Sequence, residues 1–297
     1  MNFYEKSKES FMAKIGFVTD STADFPHGLD KQNNIHIMPV HVVVDSKDYL
    51  DGKEISNEQV IEKMKNNHHV FTRPAAPAEY ADFYEKLLEK YDYILSFQVA
   101  SNLSECFQSA KSSLNLLPPE SSKKIKIIDT RSTSIGQGMY VLKAIETIKK
   151  DKTVEDLENK VNLIMGTNIN NFTVDSLIWL KKSGKIGTLG AAFGNMLDIK
   201  PLIVLKDSQL KPLGNIRGKK NVLNEMASYA GKTKKKTGFD YDVWVAHCDA
   251  VDDAKYLCEK LAANLGMDEK EIRIAKAGAA ISVQTGPGSI AWGMVKK

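Results

Sequence analysis

The sequence is poor in the groups that carry covalent or metal chemistry. It has three cysteines, Cys106, Cys248 and Cys258. The number is odd and no CxxC pair occurs, which leaves no thiolate zinc site and suits a reducing compartment. The six histidines are scattered; only His68 and His69 adjoin, and no HExxH or comparable spacing appears. There is no GxSxG elbow and no GxxxxGK[ST] phosphate loop, and Gly136 and Gly138 lack the third glycine of a dinucleotide fingerprint. No apolar run approaches the roughly 20 residues of a membrane-spanning helix. The net charge of +4 is too small to argue for nucleic acid, and the lysine-rich stretch Gly231 to Gly238 reads as a solvated loop. Met1 to Ala13 holds Glu5, Lys6, Lys8 and Glu9, so it has no apolar signal-peptide core. The expected location is the cytoplasm.

What is present is a repeated strand-then-turn pattern. Ile15 to Val18, Tyr93 to Val99 and Ile125 to Asp129 are short apolar runs of the kind that form buried parallel strands. Each ends in a polar, hydroxyl-rich turn: Asp20 to Thr22, Ser101 to Ser104, and Asp129 to Ser134. Helical periodicity follows from Leu103, from Ile135 to Lys149, and over Glu79 to Glu89, where Tyr80, Phe83, Tyr84, Leu87 and Leu88 share a face. Alternating strands and helices predict a mainly parallel sheet with helices on both faces, and the turns would gather along its C-terminal edge, where ligands bind in open α/β sheets. Asn66 to Pro77 reads as a proline-restricted loop carrying Thr72 and Arg73.

Past Asn168 the texture changes. Pro201 to Arg217 reads as a β-hairpin, Phe172 to Leu177, Tyr241 to His247 and Ile272 to Ala275 as strands, and Lys219 to Tyr229 and Val251 to Leu265 as helices. With 297 residues the chain is long enough for two domains. The expected fold is α/β with two domains: a mainly parallel three-layer α/β/α sheet domain over 1–166, then an α/β domain with a mixed sheet over 167–297. A cleft or tunnel between them is the default ligand site.

The chemistry of the turns leaves alternatives open. Ser101 and Ser104 lie where the first helical N–H groups lack partners, which suits a carboxylate or phosphate; the same serines could simply cap the helix. Asp20, Asp24 and Asp129 could hold a metal for phosphotransfer or hydrolysis if their turns met, although aspartates are common caps at such turns. Cys106 sits in the first helical turn but on the apolar face, which favours packing over reactivity. A site rich in neutral donors and poor in nucleophile–base pairs favours binding over turnover, with apolar faces available to enclose a hydrocarbon tail.

Val18 to Asp24, Tyr49 to Gly52, Ser101 to Ser104 with Gln108 to Ala110, Ile128 to Thr130, Leu180 to Ile186, Ile199 to Pro201, Arg217 with Gly218, and Thr285 to Gly288 together resemble the DegV family, in order and spacing from about Lys14 onward. The resemblance implies a two-domain α/β protein without catalysis of its own and without metal or cofactor. It implies a long-chain fatty acid held in an interdomain tunnel and presented to a separate fatty acid kinase, which makes acyl phosphate for phospholipid synthesis. Carried onto this chain, it places the carboxylate on Thr72, on Ser104 with its neighbouring N–H groups and Ser101, and near Thr285 and Gly286, and puts Lys185 and Arg217 on the kinase-facing side. Three departures concern the head group. Arg73 to Pro77 replaces the usual Ser-Gln-Pro-Ser-Pro, Glu105 and Cys106 replace Gly-Thr, and Gln284 stands where the family often has histidine. Arg73 becomes a cationic partner if it turns inward. Each buried methylene contributes about 0.8 kcal/mol, so a long acyl chain brings on the order of 10 kcal/mol gross, much of which an unpaired buried carboxylate would cancel.

Overall fold

The computed structural model describes residues 13–151, 168–185, 199–206 and 208–297. The chain opens with β1 (Ile15–Asp20), α1 (Leu29–Gln32) and β2 (Ile35–Met38). A small unit follows: β3 (His41–Val44), β4 (Lys47–Leu50), α2 (Asn57–Lys65) and β5 (Val70–Arg73). Then come α3 (Pro77–Leu88), β6 (Tyr93–Gln98), α4 (Cys106–Ser113), α5 (Pro119–Ser122), β7 (Ile125–Asp129) and α6 (Ser134–Asp151). The later part holds β8 (Ile169–Thr173), α7 (Ile178–Lys182), β9 (Ile199–Lys206), β10 (Gln209–Arg217) and α8 (Lys219–Thr237). It ends with β11 (Tyr241–His247), α9 (Val251–Leu265), β12 (Arg273–Lys276), α10 (Ala279–Thr285) and β13 (Ile290–Lys296).

Two large sheets share one helix. The first is parallel, in the order β2-β1-β6-β7. Its strands alternate faces, as the two-residue period requires: Phe17, Leu95, Phe97 and Ile128 pack on α6, while Val18, Ile94 and Ile125 pack against α3 and α4. The second sheet is mixed, in the order β10-β9-β8-β13-β11-β12, with only β11 and β12 parallel among its pairs. Trp244, Ala246 and Val295 meet the far side of α6, and Val243, Val245, Trp292 and Met294 pack under α8 and α9. Helix α6 is therefore apolar on two sides, Ile135, Met139, Tyr140, Ala144 and Ile145 all being buried. This shared layer was not legible from its amphipathic pattern. A third sheet, β4-β3-β5, is antiparallel and packs on α2 and α10 through Val42, Val44, Val60, Ile61 and Val283.

The aromatic stripe of α3 is core, as its spacing suggests, with a polar addition. Tyr80 Oη donates to Gln98 Oε1 (2.7 Å), Gln98 Nε2 donates to Ser96 Oγ (2.8 Å), and Tyr84 Oη lies 2.7 Å from Ser96 Oγ. The polar positions of β6 thus face tyrosine hydroxyls that need partners once buried.

Several expectations need correction. The loop expected over Asn66 to Pro77 contains β5, which pairs with β3 and places Thr72 beside Val42; four residues are too few to show a period. The basic loop expected at Gly231 to Gly238 is the end of α8, which closes on Gly238 at φ 70°. Gly231 permits a close helix crossing, because a Cβ there would lie 2.9 Å from the Asn264 carbonyl oxygen. The helix expected from Leu103 starts at Cys106, and the strand expected at Phe172 to Leu177 is β8, Ile169–Thr173. The division expected at residue 166 lies outside the described residues. Among the described residues no helix is long and apolar enough to cross a membrane.

Phe97 is fully buried and meets Tyr140 of α6 edge-on, with ring centroids 5.9 Å apart. Phe97→Ala is expected to lower the unfolding free energy by about 3–5 kcal/mol, measured by denaturant titration; a loss under about 1 kcal/mol would contradict the shared-helix packing.

Candidate functional site

The parallel sheet ends in a rim tied together by Asp20. This carboxylate is buried, and burial pushes it above its usual range against the hydrogen bonds it accepts. Oδ1 accepts from the Thr22 amide (3.0 Å) and hydroxyl, and Oδ2 from the Val99 amide (2.7 Å) and Gln137 Nε2 (3.2 Å). The Ser134 amide donates to the Thr22 carbonyl and the Ala100 amide to the Ser132 carbonyl. Asp129 Oδ1 accepts from the amides of Ser101 (3.3 Å) and Arg131 (2.8 Å). The expected gathering of hydroxyl-bearing turns therefore exists. Asp20, Asp24 and Asp129 serve in it as acceptors for backbone and side-chain donors, and among the described residues no group of three or more His, Cys, Asp or Glu could hold a metal.

The facing wall is α10, and two buried carboxylates fix its start. Asp24 Oδ1 accepts from the Gly278 amide at 2.7 Å and Oδ2 from Ser134 Oγ at 2.5 Å. Asp51 Oδ1 accepts from the Ala279 amide at 3.1 Å and Oδ2 from Ser21 Oγ at 2.8 Å. Negative charge at a helix start is favourable, but burial prevails and lifts Asp24 to about 7 and Asp51 to about 6. At its other end α10 carries Gln284 and Thr285. Gln284 Nε2 donates to Thr72 Oγ1 at 2.7 Å, and Thr285 Oγ1 lies 2.8 Å from Ser289 Oγ. Gly286 follows at φ 76°, where an added Cβ would fall 1.9 Å from Trp179 Cδ1.

Between rim and wall lies a cavity of about 440 Å³. Thr72, Arg73, Ser101, Ser104, Lys185, Gln284 and Thr285 all line it. Val40, Val99, Leu103, Ile135, Phe172, Leu180, Leu205, Leu210 and Ile290 supply an apolar lining that runs from the parallel sheet to the mixed one. Gly286 adjoins the lining without being part of it, and Arg217 is exposed at the end of β10. Ser101 is exposed and does not cap α4, whose N-cap is Glu105; Ser104 Oγ instead accepts from the Cys106 amide at 3.3 Å and donates to its Sγ.

The charged residues around the cavity are mostly occupied elsewhere. Arg73 lines the cavity, but its guanidinium is committed: it pairs with Asp48, through Nε at 2.9 Å, and lies 3.9 Å from Glu79. His41 contacts the same two carboxylates. Glu105 is exposed. Cys106 is a neutral thiol, pushed up to about 12 by burial. Lys185 has no ion pair among the described residues. Four contributors went unread in the sequence: Gln137, Asn170, Asn171 and His247. The polar pair inside the apolar strand Ile169–Thr173 was the available signal, since asparagine is unfavourable in strand interiors. Burial and the neighbouring Lys276 lower the His247 pKa, and its Nδ1 accepts from the Ala250 amide (3.3 Å), which leaves the ring proton on Nε2.

The model of the DegV family (uncharacterised protein, DegV family) matches residues 14–297. The chain belongs to the DegV family. A DegV domain-containing protein of Caldanaerobacter subterraneus is 29% identical over 283 residues, 93% of this chain and 96% of its own. A DegV family protein from Thermus thermophilus, solved for its fatty acid binding, is 26% identical with a TM-score of 0.86, over 96% of this chain and all of its own. The Bacillus subtilis DegV, a fatty acid binding protein, is also 26% identical with a TM-score of 0.82 and the same coverage. The fold placed around this DegV-family cavity is thus the one those proteins have.

Raised carboxyl pKa values carry a sign for stability. In an unfolded chain Asp24 and Asp51 titrate near 3.9, and in the fold near 7 and 6. The native state holds protons the unfolded chain has lost, so their contribution is complete below about pH 4 and fades as pH rises to 7. The melting temperature should fall between pH 5 and pH 7.5, and Asp24→Asn should flatten that slope; equal slopes would show that Asp24 is ionised throughout. Gly286→Ala is expected to cost at least about 2 kcal/mol in thermal unfolding.

Proposed function

We propose that this chain binds a long-chain fatty acid in the cavity and presents its carboxyl end to a separate fatty acid kinase. The observation that carries the reading is the joining, in one cavity, of a neutral hydroxyl-bearing end with a long apolar wall. In this reading the head group meets Thr72, Ser104, Gln284 and Thr285, with Ser101 and Gly286 at the margin, and the tail lies along Phe172, Leu180, Leu205 and Leu210. Support for the ligand class comes from the Thermus and Bacillus proteins of the same family and fold. In this reading the chain has two domains, 1–166 and 167–297, acts in the cytoplasm and leaves phosphoryl transfer to its partner. Lys185 and Arg217 would face that partner. Arg73 lines the cavity while its guanidinium pairs with Asp48.

The competing reading is a metal-dependent phosphotransferase or hydrolase using Asp20, Asp24 and Asp129. It is disfavoured because each carboxylate already accepts hydrogen bonds from backbone amides. Phosphate release by the purified chain in the presence of Mg²⁺ or Mn²⁺ would revive it.

Gentle purification followed by native mass spectrometry should show an added mass equal to one fatty acid. Thr72→Val combined with Ser104→Ala should lower its occupancy at least about tenfold, the loss of two hydrogen bonds of about 1 kcal/mol each. Mixing the loaded protein with a bacterial fatty acid kinase and ATP should yield acyl phosphate. A clean apo mass, with no uptake of added fatty acid, would sink the reading.

A further inference from the structure

Arg73 lines the cavity, yet its charge is held in a group of four side chains at the end of β5. Asp48 Oδ2 accepts from Arg73 Nε (2.9 Å) and from Nη2, while Asp48 Oδ1 lies 2.8 Å from His41 Nδ1. His41 Nε2 lies 2.9 Å from Glu79 Oε1, and the other Glu79 oxygen accepts from the Ala76 amide at 2.7 Å. The same His41 Nδ1 lies 3.0 Å from Arg73 Nη2. One ring nitrogen is therefore claimed twice, with opposite demands. Facing Asp48 it needs a proton, because an ionised carboxylate only accepts; facing Arg73 it needs a lone pair, because a guanidinium only donates. Desolvation acts to raise the Asp48 carboxyl, but the hydrogen bonds from Arg73 and His41 prevail and hold it below its usual range, so it is the ionised form that Nδ1 meets.

The conflict is settled among these side chains, since His41 is only 7% exposed and water cannot stand in for either neighbour. Neutral His41, with its proton on Nε2 for Glu79, accepts from Arg73 and helps to keep the guanidinium on the sheet. Protonated His41 gives Nδ1–H to Asp48, turns a donor toward the Arg73 donor, and places a positive charge among the carboxylates that hold Arg73. His41 is wedged between β4 and α3, whereas the Arg73 side chain is 40% exposed. Arg73 is therefore the member that yields. It is the last residue of β5, an edge strand with β3 on one side only, so its stem can swing around the strand end. Histidine is the side chain whose charge ordinarily changes between pH 5 and pH 8.

We infer that Arg73 is the anion-selecting residue of this cavity and His41 its positioning residue: protonation of His41 loosens Arg73 from Asp48 and lets the guanidinium meet an anionic group at the cavity lip beside Thr72. The inference rests on the lipid reading above and adds to it a preference for an anionic lipid that strengthens in acid. The charged groups facing His41 are Asp48 from β4, Arg73 from β5 and Glu79 from α3. Lys47, the other charge of β4, lies over the Tyr49 ring, and His69, just before β5, lies against Phe71. Helix α10, behind the small sheet, carries no charged residue. With His41 neutral the group of four holds one positive and two negative charges; with His41 protonated the charges balance, which removes a net negative charge from the approach of an anion.

The test uses hexadecyl sulfate, a permanent anion, and hexadecanol, which has the same tail and no charge, with palmitic acid as the natural-type ligand. Dissociation constants are measured on the full chain at pH 6 and pH 8, by displacement of a fluorescent long-chain probe. The preference for sulfate over alcohol should be at least about threefold larger at pH 6 than at pH 8, the scale of one half-exposed ion pair. Arg73→Gln should lower the preference at pH 6 to its pH 8 value. Asp48→Asn, which removes the carboxylate that holds Arg73, should raise the preference at pH 8 to the wild-type pH 6 level, a gain that damage to the fold would not produce. His41→Gln should make the preference independent of pH; should that variant not fold, the other two decide. Asp24 and Asp51 change charge in the same window, but they lie at the far end of α10 and are present in every variant, so the difference between wild type and Arg73→Gln isolates Arg73. A sulfate preference that is constant with pH in the wild type, or a pH dependence that survives in Arg73→Gln, would overturn the inference while leaving the lipid reading standing. Failure of all three ligands to bind at either pH would remove the lipid reading, and this inference with it.

Discussion

A carboxylate kept away from water organises the site. Asp20 has lost its hydration to burial, and a buried charge is tolerable only when the fold supplies donors. Here the donors come from the turn that follows β1, from the amide after β6 and from a side chain of α6. Each is held where Asp20 needs it, so separate strand ends become one rim. Asp24 and Asp51 repeat the device one layer away, reaching from the N-terminal part of the chain to the start of α10. Desolvation lifts both toward neutrality, which shows how hard the interior presses against charge at this end of the molecule.

The polar end of the cavity lies at the opposite end of α10 from these carboxylates. That polar end is built from hydroxyls and an amide, while the available guanidinium is drawn off by Asp48. Opposite that end the lining is apolar, and burial of a hydrocarbon there needs no directional partner. Affinity would come from the tail and placement from the few polar atoms, the usual division of labour in a small-molecule site. Helix α6 links this site to the rest of the fold, because it packs against both large sheets and carries Gln137 to Asp20.

Much of the architecture was legible from local pattern. The buried strands Tyr93 to Val99 and Ile125 to Asp129 announce themselves by apolar runs without glycine or proline, and the turns after them by their hydroxyls. The amphipathic α3 reads directly from its aromatic spacing. The strand Val70–Arg73 did not show, because its four residues run directly into Pro74 and read as part of a proline-restricted loop. The end of α8 was hidden for another reason. Its lysines and Gly231 look like a loop, yet the glycine is there to let Asn264 of α9 approach. Helix α10 was masked by the Gly286–Gly288 turn beside it.

The residues alone determined the fold class, the hydroxyl-rich strand ends and the candidates Thr72 and Ser104, because strand and helix periods and turn chemistry are local properties written in neighbouring side chains, whereas Gln284 and Thr285 became candidates only through the resemblance to the DegV family. Tertiary structure alone decided which of them meet. Thr72 and Gln284 are 212 positions apart, and only the pairing of β5 with β3 and the capping of α10 by Asp24 and Asp51 bring them into hydrogen-bond contact. The direction of Arg73 was decided in the same way. Its charge is a property of the side chain, but the choice between cavity and Asp48 belongs to the antiparallel register that sets β4 and β5 on either side of β3.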